Sequence, residues 1–159
     1  RLPLLSTFFL FTTLFRSVRQ SEFDTTLDVT VGGNSPEAGV TFYLCEDHHY
    51  YLYLAQADGV CRAELRLTTG DAQCVKTSVP LEQGQQEVKL HVESDSEFYT
   101  FFAEIAGEKK ELGKARTKNL SSEVAGGFTG TVMAMYAVIP EEKEDAWGEF
   151  SCLNWTKKK

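Results

Sequence analysis

Apolar and polar residues alternate with a period of two through most of this chain. In "FDTTLDVTV", Phe23, Thr25, Leu27, Val29 and Val31 take one phase and Asp24, Thr26, Asp28 and Thr30 the other, which predicts a strand with one buried and one wet face. "VCRAELRL" repeats the pattern, with Cys61, Ala63, Leu65 and Leu67 inward and Arg62, Glu64 and Arg66 outward, and "EVKLHVE" turns Val88, Leu90 and Val92 inward. "VTFYLC" and "YYLYLA" are apolar or aromatic on both phases and flank the polar Glu46-Asp47-His48-His49. They read as a hairpin of central strands covered on both sides. Breaks rich in turn-forming residues, among them "GGNSPEAG", "TTGD" and "PLEQGQ", separate the runs. "AQCVKTSV", "EFYTFFAEI", the polar hairpin "AGEKKEL", "TVMAMYAVI" and "GEFSCLNW" bring the strand candidates to about ten, at spacings of roughly 8–15 residues. No segment carries helical periodicity, so the expectation is an all-β sandwich or barrel in one domain.

Composition narrows the function. A chain of 159 residues fits a single domain. Its 23 acidic and 16 basic residues leave a net charge of −7, which argues against nucleic acid, whose phosphates call for clustered Lys and Arg. The one basic run, Lys157 to Lys159, reads as a solvated tail. Cys45, Cys61, Cys74 and Cys152 contain no C-x-x-C spacing and so give little support for zinc. Cys61 and Cys74 flank a predicted turn and can form a cross-strand disulfide if the register brings their Cα atoms within about 7 Å; four buried free thiols are the equal alternative. "RLPLLSTFFLFTTLF" resembles the apolar core of a signal peptide, but no initiating Met precedes it and no small-residue cleavage site follows. It is too short and too rich in Ser and Thr for a membrane span, so residues 1–20 are expected to be the lead-in from an upstream part of a longer chain. Two sequons, at Asn119 and Asn154, are glycosylation acceptors if the chain is secreted. The expected location is extracellular, with the cytoplasm as the alternative.

Candidate chemistry is sparse. Neither a G-x-S-x-G nucleophile turn nor a phosphate-binding glycine loop is present, since the glycines at 126, 127 and 130 lead into a predicted strand and not a helix. Successive residues of a strand point to opposite faces, so His48 and His49 are poorly placed to share a metal ion. A structural or hydrogen-bonding role is the expectation for both. Acidic residues fall on wet strand phases or in turns, and none stands out as the general acid of a two-carboxylate glycosidase pair. Tyr43, Tyr50, Tyr51, Tyr53, Tyr99 and Phe101 suit either a sugar-stacking groove or, more commonly in sandwiches, a core or interface. Finally, "EVAGGFTG" sets Phe128 among glycines where no regular element shelters it. A phenyl ring left in water forgoes about 1.5–3 kcal/mol of burial, so it should be covered, by this chain's own core or by another surface.

Three stretches, "EAGVTFYLCEDHHYYLYL", "SEFYTFFAEIAGEKKELG" and "LSSEVAGGFTGTVMAMYA", resemble successive signatures of the C-terminal domain of glycoside hydrolase family 43 β-xylosidases. The resemblance runs from about Phe15 to Trp155, and its most specific part is the glycine-phenylalanine stretch. It implies a concanavalin A-like, jelly-roll sandwich over residues 21–156, between the lead-in 1–20 and the tail 157–159. That sandwich would pack against an N-terminal five-bladed propeller of the same polypeptide, and the propeller would carry the catalytic carboxylates. By the same resemblance this chain holds no catalytic residue and is inactive alone. Phe128 would shape the substrate pocket, with Gly126, Gly127 and Gly130 letting the backbone approach it. The parent enzyme would hydrolyse β-1,4-xylo-oligosaccharides, or arabinofuranosides on xylan, by the inverting route. No nucleic-acid or membrane partner is implied. One departure bears on metal: where relatives carry an Asp-Phe-Asp-Trp pattern associated with structural calcium, this chain has Glu149-Phe150-Ser151-Cys152, and Ser151 is a poor ligand for a hard cation. No cofactor is therefore expected, and calcium is disfavoured. The competing expectation is a free-standing carbohydrate-binding, lectin-like module that uses the tyrosine groove.

Overall fold

The period-two runs become strands β3 (Phe23–Gly32), β4 (Glu37–Cys45), β5 (His48–Ala57), β6 (Val60–Thr69), β7 (Ala72–Pro80), β8 (Glu87–Ser94), β9 (Phe98–Ile105), β10 (Glu108–Arg116), β11 (Val132–Val138) and β12 (Trp147–Lys157), preceded by the two-residue strands β1 (Phe8–Phe9) and β2 (Arg16–Ser17). The computed structural model describes residues 8–9, 16–17, 22–34, 36–125, 130–138 and 145–158. Two antiparallel sheets result, in the orders β1-β11-β4-β5-β6-β7, with β2 also on β11, and β10-β9-β8-β3-β12. The doubly apolar hairpin β4–β5 lies inside the larger sheet, as its pattern required. In the connection between β10 and β11, a 3-10 turn over Thr117–Leu120 and one helical turn, α1 (Ser122–Ala125), depart from the purely strand-based expectation.

One face of each sheet meets the other in a continuous core. Leu27, Val29 and Val31 of β3 and Val88, Leu90 and Val92 of β8 pack against Val40, Phe42, Leu52, Leu54 and Leu65 of the larger sheet. At one end the core is aromatic: Phe23 stacks on Trp155 at 4.0 Å and on Phe42 at 5.9 Å, and Phe42 on Tyr99 at 5.0 Å. Such pairs add to stability beyond the area they bury. Two hairpins close with two-residue turns at Asp58-Gly59 and Ala106-Gly107, where all four φ angles are positive. That geometry matches the right-handed twist of the flanking strands. Along one side, the outer strands of the two sheets are joined where the Thr77 hydroxyl donates to the Leu112 carbonyl.

Several sequence-based expectations are amended. Cys61 is buried near the start of β6, whereas Cys74 is exposed opposite Leu67 near the far end of the β6–β7 hairpin, so the two do not meet. All four cysteines are free, but only Cys61 is buried, so the expectation of four buried thiols fails with the disulfide. Two strands fall within residues 1–20, since β1 and β2 both pair with β11. Lys157 belongs to β12 opposite Phe23, and the Lys158 amide donates to the Glu22 carbonyl, so the expected tail begins as a paired strand.

Candidate functional site

The turn between β4 and β5, the connection from β10 to β11 and the first residues of β11 all gather at one end of the sandwich. Register aligns them: Val132 lies opposite Tyr43, and Tyr43 opposite His49. Gly126, Gly127 and Phe128 lie outside the described residues, but both sides of their loop are defined. On the incoming side, the Tyr50 hydroxyl donates to the Arg116 carbonyl at 2.8 Å, the Thr117 amide to the Glu97 carbonyl at 2.9 Å, and Leu120 is buried. On the returning side, buried Thr131 donates its hydroxyl to the Leu120 carbonyl. Glu123, Val124 and Gly130 are nevertheless exposed. The loop thus has a fixed base that opens to solvent, and Val124 is one of four large apolar residues left exposed among those described.

From this base an aromatic stripe crosses the outer face of the larger sheet. His49 lies between Tyr43 at 5.7 Å and Tyr51 at 4.7 Å, Tyr51 is followed by Tyr136 at 4.8 Å, and Tyr136 meets Tyr53 edge-on at 6.5 Å. The Arg66 guanidinium covers Tyr51 and Tyr53 at 4.8 and 4.9 Å, a favourable cation–π geometry. Two carboxylates hold the stripe in place. Glu37 Oε1 accepts from Arg66 Nη2 at 2.8 Å and from the Tyr136 hydroxyl at 2.7 Å. Glu64 accepts from Tyr53 at 2.7 Å and from Ser78 at 2.9 Å, and Ser78 accepts from Arg62 Nε at 2.6 Å. Burial raises the Tyr53 and Tyr136 hydroxyls above their ordinary pKa, and the adjacent carboxylates push the same way. Burial lowers that of His49, so its imidazole favours the neutral form. Burial also pulls Arg66 down, but Glu37, Tyr136 and Tyr53 together push it up and the net shift is upward.

Only part of the anticipated tyrosine groove lies on this face. Tyr43, Tyr51 and Tyr53 do, while Tyr50, Tyr99 and Phe101 point into the core. Tyr136, Glu37 and Arg66 complete the stripe and were not foreseen; the odd phase of Tyr136 against Met133 and Met135 in "TVMAMYAVI" was the available signal. His48 and His49 diverge as alternation demands. His49 Nδ1 is 3.2 Å from the Cys45 carbonyl oxygen, and the buried His48 Nδ1 has no hydrogen-bond partner among the described residues. Ser151 is exposed, opposite Asp28, whose carboxylate stands 3.9 Å from Lys89 Nζ. A neutral hydroxyl beside a lysine-paired carboxylate does not fit Ca²⁺, which takes six to eight oxygens. Asn154 is exposed on β12, and Asn119 is half-buried in the 3-10 turn.

A sequence profile described as the β-xylosidase C-terminal concanavalin A-like domain matches residues 5–156. The chain belongs to this family. The chain is 31% identical over 145 residues to the non-reducing end α-L-arabinofuranosidase BoGH43B of Bacteroides ovatus, covering 86% of this chain and 27% of that protein. A solved structure, Bacteroides ovatus xyloglucan PUL GH43B, aligns with a TM-score of 0.78 at 27% identity, covering 91% of this chain and 29% of the other. The GH43 BlXynB protein from Bacillus licheniformis gives the same TM-score at 14% identity, with the same coverage, and shares the fold. This domain therefore spans less than a third of the length of each of these relatives.

Proposed function

We propose that this chain is the accessory C-terminal sandwich of a xylan-degrading glycosidase, of β-xylosidase or α-L-arabinofuranosidase type, and that Phe128 reaches the active site of a catalytic propeller N-terminal to it in the same polypeptide. Family membership over residues 5–156, and relatives more than three times as long, support a role beside another domain. The observation that carries the reading is the base of the glycine loop: clamped by Tyr50, Thr117 and Thr131, yet exposed at Glu123, Val124 and Gly130. A rigid base with an open face suits a loop that acts on something outside its own core. Gly126, Gly127 and Gly130 let the backbone approach a neighbouring surface closely. Phe128 then gains cover from the pocket and the sugar it encloses, and its ring helps to exclude water there.

In the polypeptide that joins this chain to its catalytic domain, Phe128→Ala should lower kcat/KM on xylo-oligosaccharide or aryl pentoside by about 10- to 100-fold, the equivalent of one buried phenyl ring. Its melting temperature should stay that of the unmodified enzyme. Normal kinetics with a large loss of stability would make Phe128 a core residue of the sandwich instead. The stripe of Tyr43, His49, Tyr51 and Arg66 favours a second reading, a free-standing carbohydrate-binding module. Calorimetric titration of the 159-residue chain with xylo-oligosaccharides separates the two readings: the accessory role expects negligible heat, and the lectin-like role a saturable isotherm lost in Tyr51→Ala.

A further inference from the structure

On the outer face of the smaller sheet, a separate group of donors plays no part in the role assigned above. Asp24 sits directly across from Glu93 in the β3–β8 pairing, and His91 precedes Glu93 by two residues on β8. The strand period therefore turns all three side chains away from the core. One donor atom from each lies within 4.8 Å of the other two, and His91 Nε2 is 3.7 Å from Glu93 Oε1. Around Zn²⁺, with bonds of about 2.0–2.2 Å, tetrahedral donors stand about 3.3 Å apart. Side-chain rotations that close the group by up to about 1.5 Å reach that geometry. The His91 ring is steadied by Phe102 at 5.5 Å. Asp24 Oδ1 accepts no hydrogen bond and is met only by the ammonium of Lys158.

Two lysines now balance the carboxylates: Lys109 Nζ at 2.8 Å from Glu93 Oε1 and Lys158 Nζ at 3.4 Å from Asp24 Oδ1. Both are more than one-third exposed, at 37% and 36%. Ion pairs in such positions are held weakly and exchange readily for water. We propose that Asp24, His91 and Glu93 form a binding site for a first-row divalent cation of the Zn²⁺ type, and that Lys109 and Lys158 are counter-ions which the metal displaces. One imidazole and two carboxylates supply three donors and leave the remaining positions to water. The imidazole selects against Ca²⁺ and Mg²⁺, which take oxygen ligands. Burial and the nearby Lys109 lower the pKa of His91, while the hydrogen bond from Lys109 lowers that of Glu93. The bound ion would brace β3 to β8 beside β12.

The test uses the 159-residue chain carrying Cys74→Ser and Cys152→Ser, because both exposed thiols would otherwise take up zinc. Titration with ZnCl₂ should give a saturable isotherm, and the His91 ring protons should shift in the NMR spectrum, while CaCl₂ at equal concentration moves neither. His91→Gln should weaken binding at least tenfold, and Lys109→Gln, which removes a competitor without touching a ligand, should tighten it several-fold. Zinc affinity unchanged in His91→Gln, or unmoved His91 resonances, would overturn the site and leave an ion-pair cluster only. Should His91→Gln fail to fold, the Lys109→Gln titration decides: a weaker or equal affinity overturns the proposal.

Discussion

Glu37 Oε1 receives two hydrogen bonds, from Arg66 and Tyr136, although the Glu37 side chain is 22% exposed and that of Arg66 23%. Removing the acceptor strands both donors, so Glu37→Ala should cost about 2–3 kcal/mol in urea denaturation, whereas Tyr136→Phe, which leaves the ion pair intact, should cost about 1 kcal/mol. Equal costs would mean that the guanidinium finds water as readily as it finds Glu37. His49 acts through pH. An unfolded histidine takes up its proton near pH 6.5, and in the fold burial lowers that value. Between the two values the unfolded chain binds more protons, so the contribution of His49 is complete above about pH 6.5 and is lost as pH falls through the folded value. His91, also lowered by burial, adds a contribution of the same sign. Melting temperature followed from pH 7.5 to 5.5 should therefore decline less steeply in His49→Gln than in the unmodified chain; identical slopes would remove His49 from the account.

Among the elements, the β4–β5 hairpin is the least tolerant. A Cβ placed on Gly39 would collide with the Leu52 carbonyl and with the Tyr53 backbone and Cβ, and none of these can move without parting the two central strands. Gly39→Ala should cost several kcal/mol, on the order of the largest single-residue effects, and show as lost soluble expression or a collapsed melting temperature. An unchanged melting temperature would show that the hairpin can shear at that point. This constraint was invisible in the sequence. "EAGVTFYL" reads as a doubly apolar central strand, correctly, but nothing in it says that Gly39 lies beneath the neighbouring backbone. The connection from β10 to β11 was likewise read as loop, and its short turns depend on contacts that close only in the fold, such as Thr131 with Leu120.

For the whole molecule, stability rests on the two-sheet core without covalent help. With Cys45, Cys61, Cys74 and Cys152 all free, and burial pushing the Cys61 thiol up to about 11, a reducing agent should leave the melting temperature unchanged. A drop of more than a few degrees on reduction would reveal a cross-link, since a disulfide typically contributes about 2–4 kcal/mol. The two outer faces differ in kind. The larger sheet carries the aromatic stripe and the base of the glycine loop, and the smaller sheet carries the charged cluster around His91.

Alternation, runs apolar on both phases and turn-rich breaks determined the strand candidates, the central place of β4 and β5, the divergence of His48 from His49 and the all-β class, because side-chain direction in a strand follows from its period and needs no knowledge of neighbours. Family membership was legible in three motifs for the same reason: local sequence carries it. Pairing belonged to the tertiary structure. Which tyrosines share a face, why Cys61 and Cys74 stay apart, how Arg66 meets Glu37 and how Asp24 comes to lie beside His91 all depend on register between paired strands. A one-residue slip in register would reverse every one of those contacts while leaving the alternation of each strand unchanged.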